Sequence, residues 1–196
     1  EQFARLADGR FVFARHLKPL GEWESDYVAV AGMFHHVPYY WGGKSVQGLD
    51  CSGLVQLALE ACGIACPRDS DLQERDLGVD LRLNDLDGLK RGDLVFWDGH
   101  AGIMTDGATL LHANGHHMLT VAEPLREAVD RIARSYGQVT SIKVQVAGGG
   151  AQLAGSPSCA PTAETFFSGM LESITATRLV SAGAKFTDGR RPSRAA

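Results

Sequence analysis

The sequence predicts an α+β fold in which helices come first and an antiparallel meander follows, and three observations carry that expectation. Residues 24–36 and 51–61 repeat apolar side chains at helical spacing. Residues 93–123 break into short strand-like runs separated by Asp-Gly and Asn-Gly pairs, the sequence signal of tight hairpins. Helical segments followed by a run of strands, rather than strict alternation, fit segregated helical and sheet layers.

Three stretches follow one another along the chain. Residues 1–20 contain "RFVFARHLKPL", where Phe11 and Phe13 alternate as in a strand before a Pro-marked exit; the segment is too short to be a domain alone. Residues 21–146 hold the rest of the pattern. Tyr27, Val28, Val30, Ala31 and Phe34 share one helical face, and Pro38 ends that helix by forcing its predecessor out of the α region. "YYWGGKSVQGLD" is a Gly-rich loop. The second helix runs from Cys51 to Ala61, with Leu54, Val55, Ala58 and Leu59 inward and Gly63 as its stop. Residues 64–90 read as mostly irregular and polar. "DLVFW", "HAGIMTD", "TLLHA" and "HMLTVAE" are strands, with turns at Asp98-Gly99, Asp106-Gly107 and Asn114-Gly115. A helix over 124–134 and a strand, "TSIKVQV", complete this part. Residues 147–196 read as linker and tail, with Phe166, Phe167, Met170, Leu171 and Ile174 at helical spacing.

Composition narrows the function classes. With 196 residues and 44% hydrophobic content, the chain can bury one proper core. A net charge of -4 gives no reason to expect nucleic acid as a partner, and no apolar run is long enough to span a bilayer. The four cysteines, at 51, 62, 66 and 159, do not form a disulfide framework. Cys62 and Cys66 read as small buried or half-buried thiols, because two ligands without a second pair make a poor zinc site. No metal and no cofactor is expected.

Cys51 follows Asp50 at a helix start in "LDCSGLV". Unpaired backbone N–H groups and the positive end of the helix dipole there favour thiolate, the reactive form. Taken alone, such a cysteine is as well explained by packing. A base and a group to orient it would change that. His100 begins a strand just after a turn, and His112 lies on the next strand across Asp106-Gly107, so cross-strand pairing can bring the two imidazoles together. A neutral imidazole takes the thiol proton and a second one holds the first in a useful tautomer. The cluster "HANGHHM" lacks a carboxylate and the geometry of a zinc site, His35 and His36 suit a helix end, and His16 is structural or substrate-facing.

"PYYWGGKSVQGLDCSGLVQLAL", "RDSDLQ", "LKRGDLVFW", "GHAGIM" and "LLHAN", in this order across about 38–146, resemble the motif series of the NlpC/p60-type cell-wall cysteine peptidases. The resemblance implies a papain-like cysteine peptidase fold, with N-terminal helices packed on a central antiparallel sheet. It implies a catalytic set of Cys51, His100 and His112, with Tyr39 beside the nucleophile in the oxyanion hole and Tyr40 as packing. It implies a substrate in the peptide stem of peptidoglycan, cut between γ-D-glutamate and a diamino acid. Members preceded by bacterial SH3-like domains tend to require a free N-terminal L-Ala, as in released or recycled muropeptides. Ser52 and Asp69 map onto the groups that bind that amine, with Ser70 and Arg68 beside them; Arg68 reads equally as a substrate-carboxylate ligand or a structural group. Residues 1–20 resemble the last strands of an SH3-like domain, and 147–196 match nothing. Two rivals remain at this stage: an amidase or acyltransferase on the same fold, and an inactive wall-binding module. The compartment, cytoplasm or cell envelope of a bacterium, and the oligomeric state are not legible.

Overall fold

The computed structural model describes residues 3–81 and 86–145. The linker and helix expected within 147–196 lie outside the described residues. The chain divides into two units, and residues 3–22 belong to the first. There, β1 (Phe3–Arg5) and β2 (Phe11–Phe13) pair antiparallel, followed by a single 3-10 turn at Ala14–His16. Phe13 packs edge-on against the rings of Phe3 and His16, while Phe11 is exposed.

The second unit begins at Trp23. Helix α1 (Tyr27–Gly32) starts where the Asp26 side chain accepts the N–H groups of Val28 and Ala29. It is shorter than the expected 24–36. Past Gly32 the backbone tightens into bonds to the third residue back, and His36 turns left-handed at φ 68° so that its N–H reaches Thr120 O at 2.8 Å. The Gly-rich loop that follows contains a minimal hairpin of β3 (Lys44–Ser45) and β4 (Gly48–Leu49).

Helix α2 (Cys51–Ala61) has the bounds expected, but more than one face is covered: every residue from Cys51 to Leu59 is buried. Gly63 ends it at φ 77°, with the Trp23 ring lying over the glycine. The stretch expected to be irregular holds helix α3 (Ser70–Asp76) and the short strand β5 (Val79–Asp80). Helix α3 carries no apolar period because the one residue it buries is the polar Gln73, whose Nε2 donates to Ser52 O and Pro67 O at 2.8 Å each.

The strands β6 (Leu94–Trp97), β7 (His100–Met104), β8 (Thr109–Asn114) and β9 (Leu119–Pro124) form the expected meander. Helix α4 (Leu125–Tyr136) then leads back to β10 (Ser141–Val144), which inserts between β5 and β6 to give the order β5-β10-β6-β7-β8-β9. By strand alternation, Val95, Trp97, Met104 and Leu110 share one face, where Leu125, Ala128 and Ile132 of α4 cover them. The alternate residues Leu94, Phe96, Ile103 and Leu111 are also buried. Helices α1 and α2 pack together, and α2 lies against β7 and β8.

Two hairpin loops depart from the two-residue turns expected. Asp106 Oδ1 accepts the N–H groups of Ala108 and Thr109 at 2.8 and 2.9 Å, and Met104 pairs with Leu110, so the β7–β8 loop has Asp106, Gly107 and Ala108 at its tip. Asn114 pairs with Leu119 across β8–β9, which leaves residues 115–118 in the loop rather than Asn114-Gly115 alone.

The start of α2 is set by a close approach of backbone to helix. A Cβ added at Gly53 would lie 2.5 Å from Gly43 O and 2.9 Å from Asp50 Oδ1. Gly53→Ala is therefore expected to destabilise the fold by roughly 1–3 kcal/mol, read as a lowered urea midpoint with an unchanged slope.

Candidate active site

Asp50 closes the N-terminus of α2. Its Oδ1 accepts the Gly53 N–H at 2.7 Å and its Oδ2 the Gly42 N–H at 2.8 Å. Arg68 fastens the same carboxylate through Nη1 to Oδ1 at 2.9 Å and Nη2 to Oδ2 at 2.6 Å. Its Nη1 also donates to Ser52 Oγ at 2.8 Å and its Nη2 to Gly43 O at 3.2 Å. Of the two roles open to Arg68, the geometry takes the structural one. The guanidinium fork is occupied within the chain, so it is not a vacant ligand for a substrate carboxylate. Ser52 Oγ donates to Asp50 Oδ1 at 3.3 Å while accepting from Arg68, which leaves one lone pair for any further partner.

Cys51 sits in the first turn of α2 and is 7% exposed. Burial pushes its thiol up, against the lowering by the backbone N–H of Ala101 and of its own helix start, and Asp50 pushes it further up. The helix-start expectation of a depressed thiol is therefore corrected: the N–H groups are present, but desolvation outweighs them. The Ala101 bond places the sulfur against the start of β7, one residue from His100.

His100 and His112 meet. His100 Nε2 lies 2.7 Å from His112 Nδ1, with the rings edge-on at 5.0 Å. They meet diagonally rather than directly opposite, because continuing the β7–β8 register puts Gly102 across from His112. A Cβ at Gly102 would come within 3.3 Å of His112 Cβ. Burial, with His112 and Arg131 nearby, brings His100 down to about 3, so it is a neutral base at ordinary pH. His112 is lowered by burial as well, against the pull of Glu123.

Beyond His112 lie groups that sequence reasoning missed. His112 Nε2 is 2.6 Å from Glu123 Oε1, and Arg131 Nη1 donates to Glu123 Oε2 at 2.6 Å. Asn114 Nδ2 lies 3.1 Å from the same His112 nitrogen. Tyr136, at the end of α4, stands over His100 with ring centroids 6.4 Å apart. The signal for Glu123 was its parity: it is two residues from Val121, which pairs with His112. That parity is readable only with the right loop length.

Tyr39 is half-buried; its hydroxyl is pushed up by burial and by Cys51, Asp50 and Tyr136, which puts it in the same cleft. Tyr40, expected to pack, is instead 67% exposed. Asp69 occupies the N-cap position of α3 but makes no capping bond with its side chain, and it is exposed; Ser70 beside it is half-buried. Among the described residues no group of three or more His, Cys, Asp or Glu is arranged to hold a metal, and no helix is long and apolar enough to cross a membrane. Cys66 is buried and Cys62 half-buried.

A family model described as NlpC/P60 matches residues 36–138, the span that contains Tyr39, Cys51, His100 and His112. The chain belongs to the NlpC/P60 family. Among curated relatives, the gamma-D-glutamyl-L-lysine dipeptidyl-peptidase of Bacillus subtilis is 33% identical over 115 residues, covering 52% of this chain and 37% of that protein. Dipeptidyl-peptidase 6 of Lysinibacillus sphaericus is 36% identical over 77 residues, 39% of this chain and 27% of its own. The chain thus spans well under half the length of either relative. A solved NlpC/P60 family protein from Bacillus cereus superposes with a TM-score of 0.51 at 26% identity, over 61% of this chain and 39% of its own. The peptidoglycan hydrolase RipB of Mycobacterium tuberculosis gives 0.50 at 29% identity, over 61% of this chain and 63% of its own. The fold is the papain-like α+β arrangement of this family, with helices against a large antiparallel sheet.

The buried imidazoles make stability depend on pH with a definite sign. His100 has its ordinary value of 6.5 when unfolded and about 3 when folded, so between these values only the unfolded chain takes up the proton. Stability is therefore expected to fall as pH drops from about 6.5 toward 3, by roughly 1 kcal/mol per pH unit from His100. Denaturant midpoints at pH 7, 6, 5 and 4 check this, and His100→Asn is expected to flatten the slope.

Proposed function

We propose that this chain is a cysteine peptidase acting on peptidoglycan stem peptides, cutting the bond between γ-D-glutamate and a diamino acid. The observation that carries the reading is the 2.7 Å contact between His100 and His112 at the strand edge against which the Cys51 thiol lies, within a domain of the NlpC/P60 family. Curated relatives named as dipeptidyl-peptidases support the bond assignment.

In this mechanism the resting pair is neutral, thiol beside imidazole. As Cys51 attacks the γ-carbonyl, its proton passes to His100, and a thioester forms with γ-D-glutamate when His100 returns the proton to the leaving amine. His100 then takes a proton from the water that attacks the thioester and gives it to the Cys51 sulfur as the C–S bond breaks, which restores the neutral pair. The developing oxyanion is met by the Cys51 backbone N–H and the Tyr39 hydroxyl. His112 holds the ring of His100.

Asp69 is the group we assign to a free N-terminal L-Ala. Its carboxylate makes no capping bond and faces solvent, so an ammonium can reach it, and the remaining lone pair of Ser52 Oγ adds a second acceptor. In the same reading residues 1–20 are the last strands of an SH3-like accessory unit, and 21–146 are the catalytic domain.

Cys51→Ala is expected to reduce hydrolysis of L-Ala-γ-D-Glu-diaminopimelate by at least about 10³-fold, measured by release of the diamino acid. Retention of the wild-type rate would refute the nucleophile. Asp69→Asn is expected to raise KM for that tripeptide by about 10–100-fold and to leave the poor turnover of its N-acetylated form unchanged. Equal effects on both substrates would remove the amine-recognition argument.

A further inference from the structure

His112 is held by more than its partner His100. On its far side Glu123, from β9, and Arg131, from α4, form a charged pair whose members are 11% and 24% exposed, tied through Arg131 Nη1 to Oε2 and Nη2 to Oε1. His117 Nδ1 also lies near the carboxylate, 4.0 Å from Oε1, and 3.0 Å from Asn114 Oδ1. Asn114 is held with its Oδ1 toward the His117 backbone N–H at 2.9 Å, which can only donate, so its Nδ2 is the atom turned to His112 Nε2. Two groups of opposite character thus converge on one ring nitrogen: an acceptor, Glu123 Oε1 at 2.6 Å, and a donor, Asn114 Nδ2 at 3.1 Å.

We propose that Glu123, held ionised by Arg131, is a positioning residue that selects the tautomer of both histidines and so leaves the proton-accepting nitrogen of His100 free for Cys51. This rests on reading Cys51, His100 and His112 as the catalytic set. A carboxylate whose two oxygens receive an arginine fork has no proton to give, so the hydrogen between it and His112 belongs to the ring. Burial alone would push the Glu123 carboxyl up, but the bonds from His112 and Arg131 outweigh it and hold it at about 2. With Nε2 protonated, His112 Nδ1 is a lone pair. His100 Nε2, 2.7 Å away, must then be the donor. The one nitrogen of His100 left without a hydrogen is Nδ1.

The competing donor makes the arrangement a choice between two states. Without Glu123, the Asn114 amide would give its hydrogen to His112 Nε2. The His112 proton would move to Nδ1, His100 would accept at Nε2, and the hydrogen of His100 would sit on Nδ1, the nitrogen left for the thiol once Nε2 is taken by His112. A neutral thiol beside a protonated Nδ1 has nowhere to send its proton.

The test is made on the full chain with 15N-labelled histidine, whose long-range proton–nitrogen spectra report the tautomer of each ring. At pH 7 the wild type is expected to show His100 and His112 both protonated on Nε2; Nδ1–H on either ring overturns the proposal without any variant. Glu123→Ala is expected to move His112 to Nδ1–H and to lower kcat on the order of 10²–10⁴-fold with KM changed by less than about threefold. Adding Asn114→Asp to Glu123→Ala returns an acceptor to the same nitrogen and is expected to restore Nε2–H and at least about tenfold in kcat. If Glu123→Ala keeps the wild-type tautomers, or if the double variant keeps the Nδ1–H form, the proposal fails. The spectra need no substrate, so a chain that shows the expected tautomers yet does not cleave the tripeptide refutes the proposed reaction and leaves the tautomer assignment standing.

Discussion

The Asp50 carboxylate is 6% exposed and yet receives two backbone N–H groups, a hydroxyl and both terminal nitrogens of Arg68, so that the Gly-rich loop, the first turn of α2 and the residue before Asp69 are all fastened to one side chain. Such an enclosed charge is tolerable only when its lone pairs are met, and truncating any one partner leaves the others uncompensated. The placement of Cys51 follows from that constraint. It is the residue next to Asp50, and its position against β7 depends on where the loop lets α2 begin. The glycines serve the same end, since Gly43 and Gly53 touch backbone to backbone at the point Asp50 draws together.

The same carboxylate works against the sulfur. An anion next to a thiol opposes ionisation, and burial opposes it more, so the site rests uncharged rather than as a preformed thiolate–imidazolium pair. In a site this dry, a resting ion pair would need to be solvated by the protein itself. Charge separation is deferred to the moment when substrate fills the cleft and the oxyanion donors have something to bind. The compensating charge sits further back, on Glu123 and Arg131, two strands away from the sulfur.

Much of this was legible before any coordinates. The bounds of α2 came from its apolar spacing, Asp50 and Gly63, and the β6–β9 meander from Asp-Gly and Asn-Gly pairs. Cys51, His100 and His112 stood out as candidates from residue type and position on an element, and Tyr39 only through the motif resemblance. What was hidden is of another kind. Helix α3 buries Gln73 rather than an apolar face, so no periodicity marks it. The role of Arg68 depends on a partner 18 positions earlier in the chain. Glu123 escaped for a geometric reason: a two-residue turn at Asn114-Gly115 would pair His112 with His117, whereas the longer loop pairs it with Val121 and brings Glu123 alongside. Register is a tertiary fact that turn residues alone do not determine.

The three-residue tip at Asp106, Gly107 and Ala108 has a consequence for how variation in this region is read. Side chains alternate along a strand, so a deletion of one residue at the tip that shifts β8 by one against β7 would turn His112 to the opposite side of the sheet. An insertion of one residue does the same. A gap of one at this tip therefore counts as the loss of a histidine that an alignment still displays.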